Sequence, residues 1–439
     1  MRQNLPDGRA ALVLCGAVVA ISTGLIGQAH RSEGLIFWET LMVAPATAAR
    51  QIPPRETLPV TISPGRYTPD YARRTLVPAM GGAIIVGGVD SGAGAAIYVV
   101  NPGAKNSLLR STFTGRFHDE TETAGVAGSG GSLSAAFSDF LRTGHQSLFV
   151  VGVNGITLYR NNGDDTFTDA TAESGLRARP GDLYTSAVLG DIDGDGLQDL
   201  LVSIYTNLNE PPSKSTMIFP FDFGGAISRL YRNNGDGTFT DMTRAAGMTA
   251  NPGRARKGLL TDFNGDSKLD ILLLRDDKPP VLYLNRGGWK FEDKTWVAGD
   301  QLTRHAFFDG AIVDLNSDGR PDVVLWSSQG VDYALNQGNA TFVKAVTIPS
   351  RFPAPGLFGF QATLADLDGN GGSADLLFTD SANRLHAFVS TKGTLRELPI
   401  QLPASFQLGY LVPFRSRSAP GVRCIAMHPD GHIALIGLR

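Results

Sequence analysis

The sequence contains only two cysteines, Cys15 and Cys424, among its 439 residues. Cys15 lies in an apolar N-terminal segment, so a processed chain would keep a single thiol and no internal disulfide. Scarcity of cysteine is compatible with export, and it means only that disulfides do not hold this fold together.

The sequence also lacks the short motifs that identify common catalytic sites. It contains no G-x-S-x-G, no H-E-x-x-H, no phosphate-binding Gly-Lys loop and no C-x-x-C. His428 and His432 flank a Pro-Asp-Gly sequence that is typical of a hairpin turn. Enzymatic activity therefore stays undecided, and binding without catalysis is favoured.

The sequence also lacks a large excess of positive or negative charge. The 39 Lys and Arg residues nearly balance 42 Asp and Glu residues, which gives a net charge of −3. No basic stripe of the kind that holds a phosphate backbone is present. The sequence therefore predicts no nucleic-acid partner.

The N-terminus carries the signals for cellular location. Residues 10–27 form an apolar stretch, and Gly27-Gln28-Ala29 then offers the small residues that signal peptidase reads. The stretch is also near the lower length limit for a membrane span, and a lipid anchor at Cys15 is a third, less favoured reading. We predict that residues 1–29 are a signal peptide or membrane anchor, that residues 30–56 are a Pro/Ala-rich linker, and that the chain is exported to the periplasm, cell surface or extracellular space, tethered where the anchor is retained.

The segment DIDGDGLQDL, which begins at Asp191, has the composition of a calcium loop. Aspartates occupy loop positions 1, 3, 5 and 9, and calcium takes about six to eight oxygen ligands. An EF-hand would need Glu at position 12 and a following helix, but Val202 stands there within a β-rich apolar run. The segment is therefore predicted as a calcium-binding hairpin that leads into a buried strand.

The acidic loop recurs along the chain. Copies begin at Asp262, Asp314 and Asp366, and a degenerate copy without its ligands begins at Asp139. The intervals between successive copies are 52, 71, 52 and 52 residues. Regular spacing of this size indicates a repeat architecture in which each repeat is one supersecondary unit.

A hairpin motif follows each loop. LYRNNGDDTFTDATAESGL (158–176) and LYRNNGDGTFTDMTRAAGM (230–248) are near copies, and each contains an Asn/Gly turn between two strands. One repeat therefore contains four antiparallel strands, which is the content of a propeller blade. We predict an all-β fold in which residues 57–439 form a seven-bladed β-propeller of four-stranded antiparallel blades, with a strand from residues 57–63 completing blade 7.

These residues carry a family resemblance. The acidic loop with its strand resembles the FG-GAP (VCBS-type) repeat of integrin-like β-propellers, and Phe358-Gly359 preserves the Phe-Gly half of that name. The LYRNNGDGTFTDMT stretch is similar to repeats of the cartilage-acidic-protein group, without the C-terminal module that many of that group carry.

The resemblance implies calcium ligands at loop positions 1, 3, 5, 7 (through the carbonyl) and 9, and thus three to four structural calcium ions. The loop at Asp366 has one extra residue before its last ligand. The implied ligands are Asp191, Asp193, Asp195, Leu197 and Asp199; Asp262, Asn264, Asp266, Lys268 and Asp270; Asp314, Asn316, Asp318, Arg320 and Asp322; and Asp366, Asp368, Asn370 and Asp375.

The 71-residue interval contains an insertion, residues 206–228. It joins the second and third strands of its blade, so it is expected on the face opposite the acidic loops. Met217, Phe219, Phe221 and Phe223 form either an exposed apolar partner site or a plug over the propeller's channel.

Two functions follow from this arrangement. The first is a monomeric, exported, calcium-stabilised module that binds a protein or a glycan through the face opposite the calcium loops. The second is a polysaccharide lyase or hydrolase with a discontinuous site at the propeller channel, which a cluster of Arg, Tyr, His or Lys there would favour.

Overall fold

The structure of the protein is a computed structural model. It describes residues 60–63, 65–77, 80, 83–87, 96–111, 117–214, 216–327 and 330–349, together with ten separate strands that lie outside these ranges. Those strands are Ala11–Leu14, Ala17–Ala20, Ile36–Glu39, Ala362–Ala365, Asp375–Thr379, Leu385–Thr391, Thr394–Leu398, Tyr410–Arg415, Val422–Met427 and Ile433–Leu438.

The described residues form six blades. Each blade is a sheet of four antiparallel strands that pair in the order in which they occur along the chain. The strands of blades 1 to 3 are Ala83–Gly87, Ala96–Val100, Ser107–Ser111 and Phe117–Asp119; Ser132–Ser138, Ser147–Gly152, Gly155–Asn161 and Phe167–Asp169; and Asp182–Gly190, Asp199–Asn207, Arg229–Asn233 and Phe239–Asp241. Those of blades 4 to 6 are Ala255–Thr261, Asp270–Arg275, Val281–Asn285 and Phe291–Asp293; Asp309–Val313, Asp322–Ser327, Gly330–Asn336 and Phe342–Pro349; and Ala362–Ala365, Asp375–Thr379, Leu385–Thr391 and Thr394–Leu398.

The described C-terminal strands form a further sheet of different origin. Tyr410–Arg415, Val422–Met427 and Ile433–Leu438 pair in order, and Ile36–Glu39 from the N-terminal segment supplies the fourth strand. Tyr410–Arg415 lies beside the first strands of blades 6 and 1, so this composite sheet completes the ring.

The predicted seven-bladed propeller closed by residues 57–63 is therefore wrong. Among the described strands there are six blades of consecutive strands, not seven, and the composite sheet is closed by Ile36–Glu39. Val60–Ile62 pairs instead with Met217–Phe219 of the insertion. The physical reason is packing, because Ile62 is fully buried in the same apolar cluster as Phe219.

Short helical segments lie between the sheets. Pro69–Tyr71 is α-helical and continues into a π-helical turn at Ala72–Leu76. The other described segments are Thr121–Ala124, Thr295–Val297 and Asp300–Thr303. Among the described residues, no helix has the length and apolar character that a bilayer span requires.

The predicted signal or anchor (residues 1–29) and linker (30–56) fall almost entirely outside the described residues. Within them the backbone of Ala11–Leu14 pairs with that of Ala17–Ala20. Both assignments stay predictions.

Adjacent blades are joined by a repeated hydrogen-bond unit, which we call the Asp–Asn clamp. In blade 3 the carboxylate of Asp199 accepts hydrogen bonds from the backbone N–H groups of Ile192 (3.0 Å) and Asn233 (2.9 Å). The Asn233 side chain then donates to the carbonyl oxygens of Gln198 (3.2 Å) and, in blade 2, of Phe140 (2.8 Å). Each clamp therefore ties its own acidic loop to the loop of the preceding blade.

The same clamp recurs in blades 4 and 5. Asp270 with Asn285 reaches the carbonyl of Ile192, and Asp322 with Asn336 reaches the carbonyl of Phe263. These aspartates and asparagines are all buried, so each unmade hydrogen bond would leave a desolvated polar group. The clamp therefore recurs along the chain with the same spacing as the acidic loops.

Replacing a clamp asparagine is expected to destabilise the propeller. Asn233→Ala removes the donor to two carbonyls, and buried acceptors without partners cost about 1–3 kcal/mol. We expect urea unfolding to show a loss of about 2–3 kcal/mol. The matched control is Asn234→Ala, because Asn234 is exposed and bonds only Thr238 and Thr240 within its own turn. Equal stability losses in the two variants would contradict the clamp.

The origin of the closing strand can be tested by truncation. A chain that begins at residue 45 lacks Ile36–Glu39 and leaves Ile433–Leu438 as an open edge, which favours aggregation. We expect a lower Tm and concentration-dependent light scattering for this chain, but not for one that begins at residue 30. Equal behaviour of the two chains would mean that residues 30–44 do not close the sheet.

Candidate functional site

The acidic loops and the Asn/Gly turns lie on one side of the propeller, which we call the acidic face. Loops between first and second strands emerge there, as do turns between third and fourth strands. In blade 3 a Cβ added to Gly235 of the hairpin turn would lie 3.1 Å from Leu197 of the acidic loop. The insertion and the connections between blades emerge on the other side, the opposite face.

The first acidic loop (191–199) brings three predicted ligands together. Asp191, Asp193 and Asp195 can each offer one carboxylate oxygen, and these oxygens lie within 4.8 Å of one another. Gly194 (φ 80°) and Gly196 (φ 88°) occupy the left-handed conformations that wrap the loop. This donor set fits calcium, which prefers clustered hard oxygens.

Asp199, at position 9, is not part of this group. Its oxygens accept the two backbone hydrogen bonds of the clamp. Burial, with a smaller effect from the nearby negative charges of Asp193 and Asp195, raises its pKa to about 7. Asp270 stands in the same position and burial raises its pKa to about 6. Asp199 and Asp270 therefore hydrogen-bond within the fold, and their role as metal ligands stays a prediction.

The second loop (262–270) and third loop (314–322) have the same backbone but a weaker donor set. Position 3 is an amide, Asn264 or Asn316, instead of a carboxylate. The basic residue at position 7 also pairs with the carboxylate at position 5: Lys268 Nζ lies 3.2 Å from Asp266, and Arg320 Nε lies 3.5 Å from Asp318.

A cation in either of these two loops would compete with its own basic side chain. The first loop has Leu197 at position 7, so it carries no basic side chain of its own there. The side chains that position 7 contributes were overlooked in the sequence, where only its carbonyl was considered.

The fourth loop (366–375) lies outside the described residues except for Asp375. Asp375 begins the second strand of blade 6 and is fully buried, as position 9 is in the other loops. The roles of Asp366, Asp368 and Asn370 stay predictions.

Neighbouring residues reach into the first loop from outside it. The indole Nε1 of Trp289, in the hairpin of blade 4, donates a 2.9 Å hydrogen bond to the Asp193 carboxylate. Arg232 Nε, in blade 3, lies 3.6 Å from the same oxygen. No sequence motif links Trp289 to this loop, because the contact joins different blades.

The opposite face carries an apolar cap over blades 2 and 3. The cap comprises Val60–Ile62, residues 65–77 and insertion residues 216–223. Of the predicted partner-binding residues, Met217, Phe219 and Phe223 are buried in it, and only Phe221 is exposed (51%). The insertion is therefore not the exposed apolar patch that its sequence suggested, and a partner-binding role for these residues stays a prediction.

Arg254 fixes the insertion to blade 4. Its guanidinium donates to the carbonyl oxygens of Phe221 (3.3 Å) and Phe223 (3.2 Å) and pairs with the buried carboxylate of Asp276 at 2.8 Å. The Tyr205 hydroxyl donates to the same carboxylate at 2.6 Å.

Beside the cap, among the described residues, a cavity of about 450 Å³ opens on the opposite face of blade 3. It lies between the ends of the strands, the last residues of the insertion and the connection to blade 4. We call it the blade 3 cavity. Its lining residues are Arg179, Asp182, Thr206, Asn207, Glu210, Gly224, Gly225, Ala226, Ile227, Arg229, Asp241, Thr243, Arg244, Thr249 and Pro252.

Comparisons with known proteins agree with this geometry. The model of the FG-GAP-like repeat matches residues 139–202 and 314–378, and each match runs from one loop through the strand after the next loop. Cartilage acidic protein 1 of Homo sapiens is 25% identical over 245 residues. That alignment covers 45% of this chain and 36% of the human protein, so the match spans about a third of the relative.

Two solved structures have a similar fold. The BP39L lectin from Burkholderia pseudomallei superposes with a TM-score of 0.56 at 11% identity, over 81% of this chain and 95% of the lectin. BBS1N, solved in complex with ARL6DN, gives 0.53 at 9% identity, over 82% of this chain and 92% of that one. At these identities the similarity concerns the fold alone. The sequence-based recognition is confirmed: the chain is an all-β propeller that carries FG-GAP-like repeats.

Proposed function

We propose that the chain is a binding module that recognises a glycan through the face opposite the acidic loops. The observation that carries the proposal is the blade 3 cavity, whose lining combines charged side chains, amides and hydroxyls in a concave site. Its volume of about 450 Å³ falls within the range of small-ligand sites. A polar, concave lining suits a hydroxyl-rich ligand better than a flat protein surface.

The burial of most apolar residues of the insertion favours a glycan over a protein partner. Protein interfaces are centred on exposed anchor residues, often aromatic. Here the apolar residues of the insertion are mostly turned into the cap, which leaves only Ile218 (38%) and Phe221 (51%) exposed. The likeness to a lectin propeller supports the view that this scaffold can hold saccharide sites.

A buried Tyr–Arg–Asp cluster beneath the insertion does not favour the enzymatic alternative. Tyr205, Arg254 and Asp276 form the cluster that such an enzyme would need, but their polar atoms bind one another and the insertion backbone. Burial raises the pKa of Tyr205 far above its usual value, which opposes ionisation. The cluster is accounted for by its structural role.

We further infer that calcium stabilises the acidic face, with the first loop as the strongest site. Asp191, Asp193 and Asp195 would hold the ion, which would neutralise their mutual repulsion. Export, inferred from residues 10–27, would bring the chain into compartments where calcium is abundant enough for an extracellular-type site.

The glycan proposal is tested by applying the labelled full-length chain, with calcium present, to an immobilised glycan array. We expect selective retention on a group of related saccharides that free saccharide competes away. Absence of retention on all saccharides, together with capture of a protein by crosslinking, would replace the glycan with a protein partner.

Calcium binding is tested by the melting temperature. Calcium added to metal-free protein is expected to raise Tm, because a ligand that binds only the folded state stabilises it. In Asp195→Asn the shift should shrink, since one charged ligand is lost. Asp236→Asn, on the same face of blade 3 but outside the loop, is the matched control. A shift of equal size in both variants would exclude the first loop as the stabilising site.

Trp289 provides an optical measure of the first loop. Calcium would draw the Asp193 carboxylate toward the ion and weaken its bond with the indole, so the tryptophan fluorescence should change on titration. Trp289→Phe should abolish that change while the calcium-dependent rise in Tm persists. A signal that survives in Trp289→Phe would assign the change to another tryptophan.

A further inference from the structure

The floor of the blade 3 cavity is a buried carboxylate. Asp182 is 3% exposed, and one of its oxygens accepts a 2.7 Å hydrogen bond from the Asn207 side chain. The other oxygen lies 4.0 Å from Arg229, beyond hydrogen-bond distance. Burial raises the pKa of Asp182, and the hydrogen bond from Asn207 and the nearby arginines only partly offset this effect. A strong acceptor is therefore held at the bottom of the cavity with capacity for another donor.

Arg229 supplies a donor on the adjacent wall. Its Nη1 bonds the Asp241 carboxylate at 2.8 Å, which fixes the plane of the guanidinium. Its Nε is buried and has no hydrogen-bond partner among the described residues. The side chain as a whole is 26% exposed, so part of the guanidinium is open to the cavity that Arg229 lines.

The rim and walls of the blade 3 cavity limit the charge and size of the ligand that it can bind. Arg179 and Glu210 pair at the rim, and both are about half exposed. Three arginines and three acidic residues line the cavity, so the lining has no net charge and does not select a strongly charged ligand. Insertion residues 224–227 form one wall and are held in place by the cap and by Arg254.

We propose that the blade 3 cavity binds a single sugar unit through a vicinal diol, in which one hydroxyl donates to Asp182 and its neighbour accepts from Arg229. The separation between these two groups is too long for a direct hydrogen bond, and it is short enough for two adjacent hydroxyl oxygens to face the groups side by side and bond one each. The inference rests on the proposed glycan function and gives that function a location and a recognition chemistry.

A second cavity, in blade 2, lacks a pair of side chains equivalent to Asp182 and Arg229. It has a volume of about 270 Å³ and is lined mainly by glycines and small polar residues, with neither arginine nor lysine. Its one carboxylate, Asp169, is exposed and bonds Thr171. Blade 2 also has no insertion, so the additional wall in blade 3 distinguishes the two cavities.

Two variants test the site by different means. Asp182→Asn keeps the shape and the acceptor for Asn207 but removes the charge. Gly224→Phe adds a large side chain to the cavity wall, and an added Cβ at Gly224 would have no neighbour within 4 Å, so the fold can accept the change. Glu173→Gln is the matched control, since it removes one exposed negative charge from the connection between blades 2 and 3 on the same face. Melting curves of all three verify folding.

The probes are the methyl α-glycosides of mannose, galactose, glucose and fucose, titrated against the full-length chain by saturation-transfer difference NMR. Per-O-methylated analogues serve as ligands that cannot donate hydroxyl hydrogens. We expect at least one glycoside to bind, and both cavity variants to weaken it by roughly tenfold or more, as loss of a charged hydrogen bond predicts. Glu173→Gln should bind normally, and the analogues should not bind.

The outcomes separate the two proposals. Equal binding by all variants, or a positive glycan array with no glycoside binding here, would overturn the blade 3 cavity as the site while the glycan function stands. A negative array together with no glycoside binding would overturn both.

Discussion

The buried Asp–Asn clamp is the interaction on which the rest of this propeller depends. Position 9 of each described acidic loop places a carboxylate in the core, where it satisfies two backbone N–H groups. The partnered asparagine then binds a carbonyl of the preceding blade. A buried charge requires such partners, so the clamp fixes both the loop conformation and the distance between blades.

The clamp also separates the carboxylates of the first acidic loop into two groups. Those at positions 1, 3 and 5 cluster together, whereas the one at position 9 is buried and hydrogen-bonded within the fold. The degenerate loop illustrates this division, because Ser147 stands at its position 9 and its hydroxyl accepts the N–H of Asn161. A blade can therefore lack the clustered carboxylates and keep its four strands.

The insertion shows how function can be added to such a scaffold. Its apolar residues anchor it in the cap beside Val60–Ile62, and Arg254 holds its backbone against blade 4. Its last residues are then free to form the wall of a polar cavity. The apolar residues Met217, Phe219 and Phe223, which the sequence suggested as a docking site, therefore anchor the insertion to the cap. The glycine-rich end of the insertion lines the candidate site.

The sequence by itself determined the repeat, the four-stranded blade and the FG-GAP-like loops, because these depend on local turn chemistry and on a spacing of 52 residues that a single insertion interrupts. Tertiary structure decided the features that join distant segments. Ile36–Glu39, and not residues 57–63, supplies the fourth strand of the C-terminal sheet, because strand pairing between distant segments has no local signal. Trp289 meets Asp193, and Asp182 meets Arg229, only when blades and loops pack together. The sequence does not distinguish Phe219 from Phe221, because both are phenylalanines of the same segment. In the structure Phe219 is buried in the cap, whereas Phe221 is exposed.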